Sequence, residues 1–180
     1  MQLYSDSYRK QLVDLHLTSR KGFGGKVKKL GKLSELLDKQ KPKTFLDYGC
    51  GKGAMLKSIA TAYPKMKCTG YDPGWDTYKK MPVGKFDIVM CIDVLEHVEP
   101  DYIDNVLKHI NTLASKYIWI CVDTIPAKKV LSDGRNAHLI VKHNWWWKDK
   151  LKIIDGKITY EHFTEIKGKY YVSIEKITTG

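Results

Sequence analysis

The chain has no apolar run approaching the ~20 residues that span a bilayer. Its first residues, Met1-Gln2-Leu3-Tyr4-Ser5-Asp6, lack the basic-then-apolar order of a secretory leader. Both absences point to the cytoplasm and leave a membrane off the list of partners. Cysteine is scarce, four in 180 residues, with no Cys-x-x-Cys pair. Cys50, Cys68, Cys91 and Cys121 sit in or beside apolar runs and read as reduced, buried thiols. No His/Cys grouping has zinc-ligand spacing, so no metal is expected. Arginine is scarcer still: Arg9, Arg20 and Arg135 are the only ones among 31 basic residues, set against 20 acidic ones for a net charge of +11. That charge invites a nucleic-acid partner, yet lysine carries nearly all of it, whereas base reading favours arginine's bidentate fork. The densest basic stretch, Arg20 to Lys43, reads either as a solvated face or as a polyanion contact. Repeats, low-complexity tracts and linkers are also missing, which leaves one domain over residues 1–180.

What the chain does have is the run Phe45-Leu46-Asp47-Tyr48-Gly49-Cys50-Gly51-Lys52-Gly53-Ala54. It reads as a buried strand, a turn with glycine at three alternate positions, and a helix start. Glycine lets a ligand lie against the backbone and accepts the angles of a tight turn. Upstream, Tyr8, Leu12 and Leu15 have helical spacing, a Gly22-Phe23-Gly24-Gly25 break follows, and Val27, Leu30, Leu33 and Leu37 share one face of a second helix that Pro42 ends. Downstream, strands are expected at 44–48, 66–71, 86–92 and 117–122. Helices are expected at 54–63, from Pro100 onward and at 144–151, and a closing hairpin joins 157–166 to 169–176. Strands alternating with helices, then a hairpin, predict an α/β fold: a doubly wound, mostly parallel sheet with helices on both faces. In such sheets ligands bind beyond the carboxyl ends of the strands. The glycine turn, Asp72 and Asp93 all fall there.

A glycine turn alone does not choose its ligand. Gly49, Gly51 and Ala54 satisfy the relaxed dinucleotide fingerprint, with Asp72 at the distance of a ribose-gripping acid. Lys52 makes no phosphate-binding P-loop, because the Gly-Lys-Ser/Thr ending is absent. Asp47, inside the strand before the first glycine, would repel a pyrophosphate and face a cationic or amine group instead. With Asp93 ending a later strand, the crevice suits a ligand that carries a sulfonium, an ammonium and a ribose.

On these residues the chain resembles the class I S-adenosylmethionine-dependent methyltransferases. Asp47-x-Gly49-x-Gly51-x-Gly53 matches their first motif, Asp72 the acid that holds the ribose hydroxyls, and Phe86-Asp87-Ile88-Val89 through Asp93-Val94-Leu95-Glu96-His97 the segment around their fourth strand. The resemblance covers roughly 44–122 and implies a Rossmann-like sheet of the seven-stranded type with an antiparallel C-terminal hairpin. It also implies S-adenosyl-L-methionine as cofactor, S-adenosyl-L-homocysteine as product, and Asp47, Gly49, Cys50, Gly51, Gly53, Asp72, Pro73, Asp93 and Val94 as the cofactor-binding set. The stretch 132–139 followed by Trp145-Trp146-Trp147 is similar to a small phage and bacterial subgroup, which would set the chain in a host cytoplasm if phage-encoded. The resemblance further implies a helical lid at 1–40, with Tyr8 and His16 near the substrate, over a core at 44–180. Only thirteen residues separate Asp72 from Phe86, too few for the usual helix and third strand, so the adenine-contacting acid has no counterpart.

Methyl transfer from a sulfonium needs alignment and exclusion of water, and an O or N acceptor protonated at neutral pH needs a base. His138 is the natural proton acceptor, with Asp133 to orient it, Arg135 to hold an anionic group, and Asn136, His97 and Trp146 as further substrate contacts. Asp133-Gly134 has equally the makings of a tight turn in which Arg135 and Asn136 bond neighbouring carbonyls, and His97 those of a structural bond-former. The expected acceptor is a small molecule or saccharide. RNA is the alternative, and a non-catalytic cofactor-binding protein a further one. Neither the Asn/Asp-Pro-Pro-aromatic motif of amino-methylating DNA enzymes nor the Pro-Cys of cytosine carbon-5 methylation is present.

Overall fold

The computed structural model describes residues 1–18, 27 and 30–177. The glycine break at 22–25 lies outside the described residues. Four parallel strands, Thr44–Tyr48 (β1), Lys67–Tyr71 (β2), Phe86–Ile92 (β3) and Ala114–Asp123 (β4), are extended by an antiparallel pair, Gly156–Thr164 (β5) and Lys169–Lys176 (β6). The order across the sheet is β2-β1-β3-β4-β6-β5. Among the described residues five α-helices accompany it: Asp6–Thr18 (α1), Lys32–Gln40 (α2), Ala54–Ala62 (α3), Ile103–Leu113 (α4) and Asn144–Lys150 (α5).

The central strands are apolar almost throughout because both of their faces are covered. Phe45, Ile88, Met90, Tyr117 and Trp119 point to one side, where Leu33 and Leu37 of α2 and Met55 and Ile59 of α3 meet them. Leu46, Val89, Cys91, Ile118 and Ile120 point to the other, under Val106, Leu107 and Ile110 of α4 and Trp147 of α5. This is the doubly wound α/β arrangement that the alternation of elements predicts. Trp147 is fully buried and Trp145 is 66% exposed, so the three adjacent tryptophans divide between core and surface.

One local reading is corrected. Val27 is exposed and α2 begins only at Lys32, with Leu33 and Leu37 making its buried face. The described sheet has the six strands that the sequence predicts: between Asp72 and Phe86 the chain forms only a short 3-10 turn, Asp76–Tyr78, in place of the usual third strand. From β1 the chain crosses through α3 to β2 on one side, and from β2 it returns past β1 to β3 on the other. The crevice at this reversal of winding lies beyond the carboxyl ends of β1 and β3, and α1 packs across it through Tyr8, which meets Leu131 and Ala137.

Candidate active site

The glycine turn is lashed to the end of β2. The Gly49 and Cys50 amides both donate to the Tyr71 carbonyl, at 2.7 and 3.0 Å. Gly49, Gly51 and Gly53 have φ of +80°, +53° and +77°, angles at which any Cβ is strained. A Cβ on Gly49 would also stand 2.3 Å from Val94 Cγ2. Gly49→Ala is therefore expected to cost about 1–2 kcal/mol in backbone strain and, beyond that, to push Val94 from its seat. Gly134, at φ +88° with nothing within 4 Å of an added Cβ, gives the comparison: Gly134→Ala should lower the urea midpoint by the backbone cost alone, and Gly49→Ala by distinctly more.

Beyond the strand tips lies a cavity of about 370 Å³. At one end of it stands Asp47, 4% exposed, whose Oδ2 has no hydrogen-bond partner. Burial raises its carboxyl to about 7, and the charge of Asp72 adds to the push. Asp72 is held rigidly: Oδ2 accepts the Gly51 amide at 2.8 Å and Oδ1 the Gly74 amide at 2.9 Å. His16 of α1 sits above it, with Nε2 3.6 Å from Asp72 Oδ1. Burial pulls the His16 imidazole down, and the Asp72 carboxylate together with the Leu12 carbonyl more than reverses that, so its pKa is raised overall.

At the other end of the cavity the turn after β3 meets the loop after β4. Asp93, a non-glycine residue at φ +55°, is paired with Lys169, whose Nζ stands 2.9 Å from Asp93 Oδ1 and 2.6 Å from Asp123 Oδ1. Glu96 is fully buried; its Oε1 accepts the Asp123 amide at 2.9 Å and its Oε2 has no partner. Burial drives Glu96 up to about 7 and His97 down to about 4. The His97 and His138 rings meet edge to face with centroids 4.7 Å apart. His138 Nδ1 lies 2.6 Å from the Ile125 carbonyl oxygen. A carbonyl only accepts, so Nδ1 carries the proton and the neutral ring keeps its lone pair on Nε2.

The structure thus gathers Asp47, Gly49, Cys50, Gly51, Asp72, Pro73, Asp93 and Val94 around one cavity together with Tyr8, His16, His97 and His138. Gly53 shapes the turn from behind, its Cα facing the Tyr78 ring. Four other expected site residues lie elsewhere. Asp133 and Arg135 are half-exposed and bound to each other at 2.7 Å, with Gln11 donating to Asp133, and Asn136 bridges Ala127 and His138 backbone groups. Trp146 packs beside Trp147 and Lys150. His138 is oriented by the Ile125 carbonyl, the part given to Asp133 by the sequence. Asp76 is exposed and paired with Lys79. Lys169 went unread, since only the antiparallel register of β4 with β6, which sets Asp123 opposite Lys169, brings it here.

A family profile described as a methyltransferase domain matches residues 25–166. The chain belongs to that family. Solved structures agree on the fold. Magnesium protoporphyrin IX methyltransferase of Synechocystis PCC 6803, crystallised with S-adenosylmethionine, superposes with a TM-score of 0.65 at 13% identity over 98% of this chain and 100% of that one. A Burkholderia thailandensis 1,6-didemethyltoxoflavin N1-methyltransferase with its substrate and S-adenosylhomocysteine bound gives 0.63 at 14% over 94% and 87%. A Nostoc punctiforme protein assigned as an O-methyltransferase gives 0.60 at 14% over 92% of this chain, which spans only 60% of its length. No curated protein matches the chain. Family and fold together make this a class I S-adenosylmethionine-dependent methyltransferase domain, and no helix among the described residues is long and apolar enough to cross a membrane.

The residues fit that cofactor. The unpartnered Asp47 Oδ2 is an anionic site that an ammonium would satisfy. Asp72, with two backbone donors, keeps lone pairs for two hydroxyls.

Proposed function

We propose that the chain methylates an oxygen or nitrogen of a small molecule, saccharides included, by in-line displacement. The observation that carries this is one cavity running from the unpartnered Asp47 carboxylate to His138. When bound, the cofactor supplies an electrophilic methyl carbon on a sulfonium. Asp47 holds its amino group and Asp72 its ribose, while Gly49 and Gly51 leave room beside the backbone. At the opposite end, His138 Nε2 takes the acceptor's proton, its tautomer fixed by Ile125. Tyr8, which donates a hydrogen bond to the His97 carbonyl, holds α1 across the cavity and keeps water out, the role of a lid.

A bound small molecule in the toxoflavin methyltransferase supports an acceptor of that size. Calorimetric titration tests the reading: one S-adenosylmethionine site per chain is expected and no NAD site. Absence of S-adenosylmethionine binding would overturn it. Transfer of a labelled methyl group to fractionated metabolites then identifies the acceptor, and transfer to RNA alone would replace the small-molecule reading.

A further inference from the structure

Glu96 and His97 lie in the turn after β3, and His138 in the loop after β4. A carboxylate oxygen of Glu96 and one ring nitrogen of each histidine lie within 4.8 Å of one another. We propose that these three side chains bind one divalent transition-metal cation at the acceptor end of the cavity.

Three independent features support the assignment. First, both imidazoles are held in the orientation that ligands need: Nδ1 of His138 faces the Ile125 carbonyl at 2.6 Å and Nδ1 of His97 the Ala137 carbonyl at 2.7 Å. Each neutral ring therefore keeps its lone pair on Nε2, and backbone carbonyls of this kind fix metal-bound histidines. Second, Glu96 is 0% exposed and its Oε2 has no hydrogen-bond partner. A buried, unanswered carboxylate oxygen is costly, and a cation would repay that cost. Third, the neighbouring acidic group of Asp93, Glu96 and Asp123 already has its positive charge in the Lys169 ammonium. Lys169 bonds Asp93 and Asp123, and Glu96 Oε2 is left without a hydrogen bond.

Two imidazoles and one carboxylate suit Zn²⁺, Mn²⁺ or Fe²⁺ better than Mg²⁺, which prefers oxygen. A second cavity, of about 310 Å³, shares His97, Asp123 and His138 with the first, so a cation there would keep positions open to an acceptor. The inference rests on the methyltransferase reading only for its consequence. A hydroxyl drawn to the cation gives its proton to water more readily; with the cation bound His138 serves as ligand, and in the metal-free chain it is the base, so its removal slows transfer in either state.

The test is direct binding to protein freed of metal by chelator. Titration with Zn²⁺ and with Mn²⁺, and the visible absorption of added Co²⁺, should each report one saturable site per chain. Glu96→Gln and His138→Ala should weaken it by more than the roughly 10–100-fold that losing an outer-shell partner costs. No saturable site in the wild-type chain, or a site unmoved in a folded Glu96→Gln or His138→Ala variant, would overturn the inference. S-adenosylmethionine titrated into the same metal-free sample separates the two readings. Cofactor binding without a metal site would end only the cation assignment, leaving His138 as base.

Discussion

His138→Ala is expected to lower methyl transfer by about 100-fold or more while leaving cofactor affinity unchanged, since a positioned base contributes on the order of 10²–10⁴ in rate. The two ends of the cavity are served by different residues, which is why rate and affinity should separate. His138 stands at the far end from Asp47 and Asp72, its Nδ1 bound to the Ile125 carbonyl and its Nε2 3.9 Å from Asp123 Oδ2. A purely structural role would show as lost stability without a kinetic signature. A basic role would show as loss of the acidic limb of the rate profile and as partial rescue by added imidazole, which can enter the space that alanine leaves. Unchanged turnover would remove His138 from the chemistry.

Asp47→Asn is expected to do the reverse, costing cofactor affinity while stabilising the empty protein. A charge-assisted hydrogen bond is worth about 1.5–3 kcal/mol, so calorimetry should find S-adenosylmethionine bound roughly 10–100-fold more weakly. The stability effect follows from the raised carboxyl of Asp47, near 7 in the folded chain through burial and the Asp72 charge. Below the unfolded value near ~4 both states are protonated and burial carries no ionic penalty. Between there and about 7 the unfolded state ionises while the folded state holds its proton, so this residue's contribution falls as pH rises. Above that range the penalty is complete. Asparagine does not titrate. The variant should therefore gain on the wild type in urea midpoint from pH 5 to pH 8, and wild-type cofactor affinity should rise over the same interval as the carboxylate forms. A variant that binds the cofactor as tightly as the wild type would show that no cation faces Asp47.

The framework was legible because periodicity and glycine report on backbone. Strands 44–48, 86–92 and 169–176 coincide with β1, β3 and β6 residue for residue, since each is an apolar or alternating run between turn residues. Asp47, the glycines and Asp72 were legible as neighbours for a related reason: they are short-range features of two adjacent strand ends. The other end of the cavity was legible only in part. His97 and His138 stood out in the sequence and Lys169 did not, and no spacing along the chain brings Glu96, His97 and His138 within 4.8 Å. For Asp133, Arg135 and Asn136 the sequence left a site and a tight turn both open. Polar residues in a row after a buried strand look like a site, but here they close a turn, with Asp133 accepting the Arg135 amide two residues on at 3.1 Å.

The N-terminal helix carries a kinetic consequence. It is fastened at both ends of the chamber, through His16 above Asp72 and through Tyr8 on the His97 carbonyl. With the cofactor held beneath α1 as proposed, its spent form is expected to leave only when the helix swings aside, and the frequency of that motion would then cap the number of cycles per second.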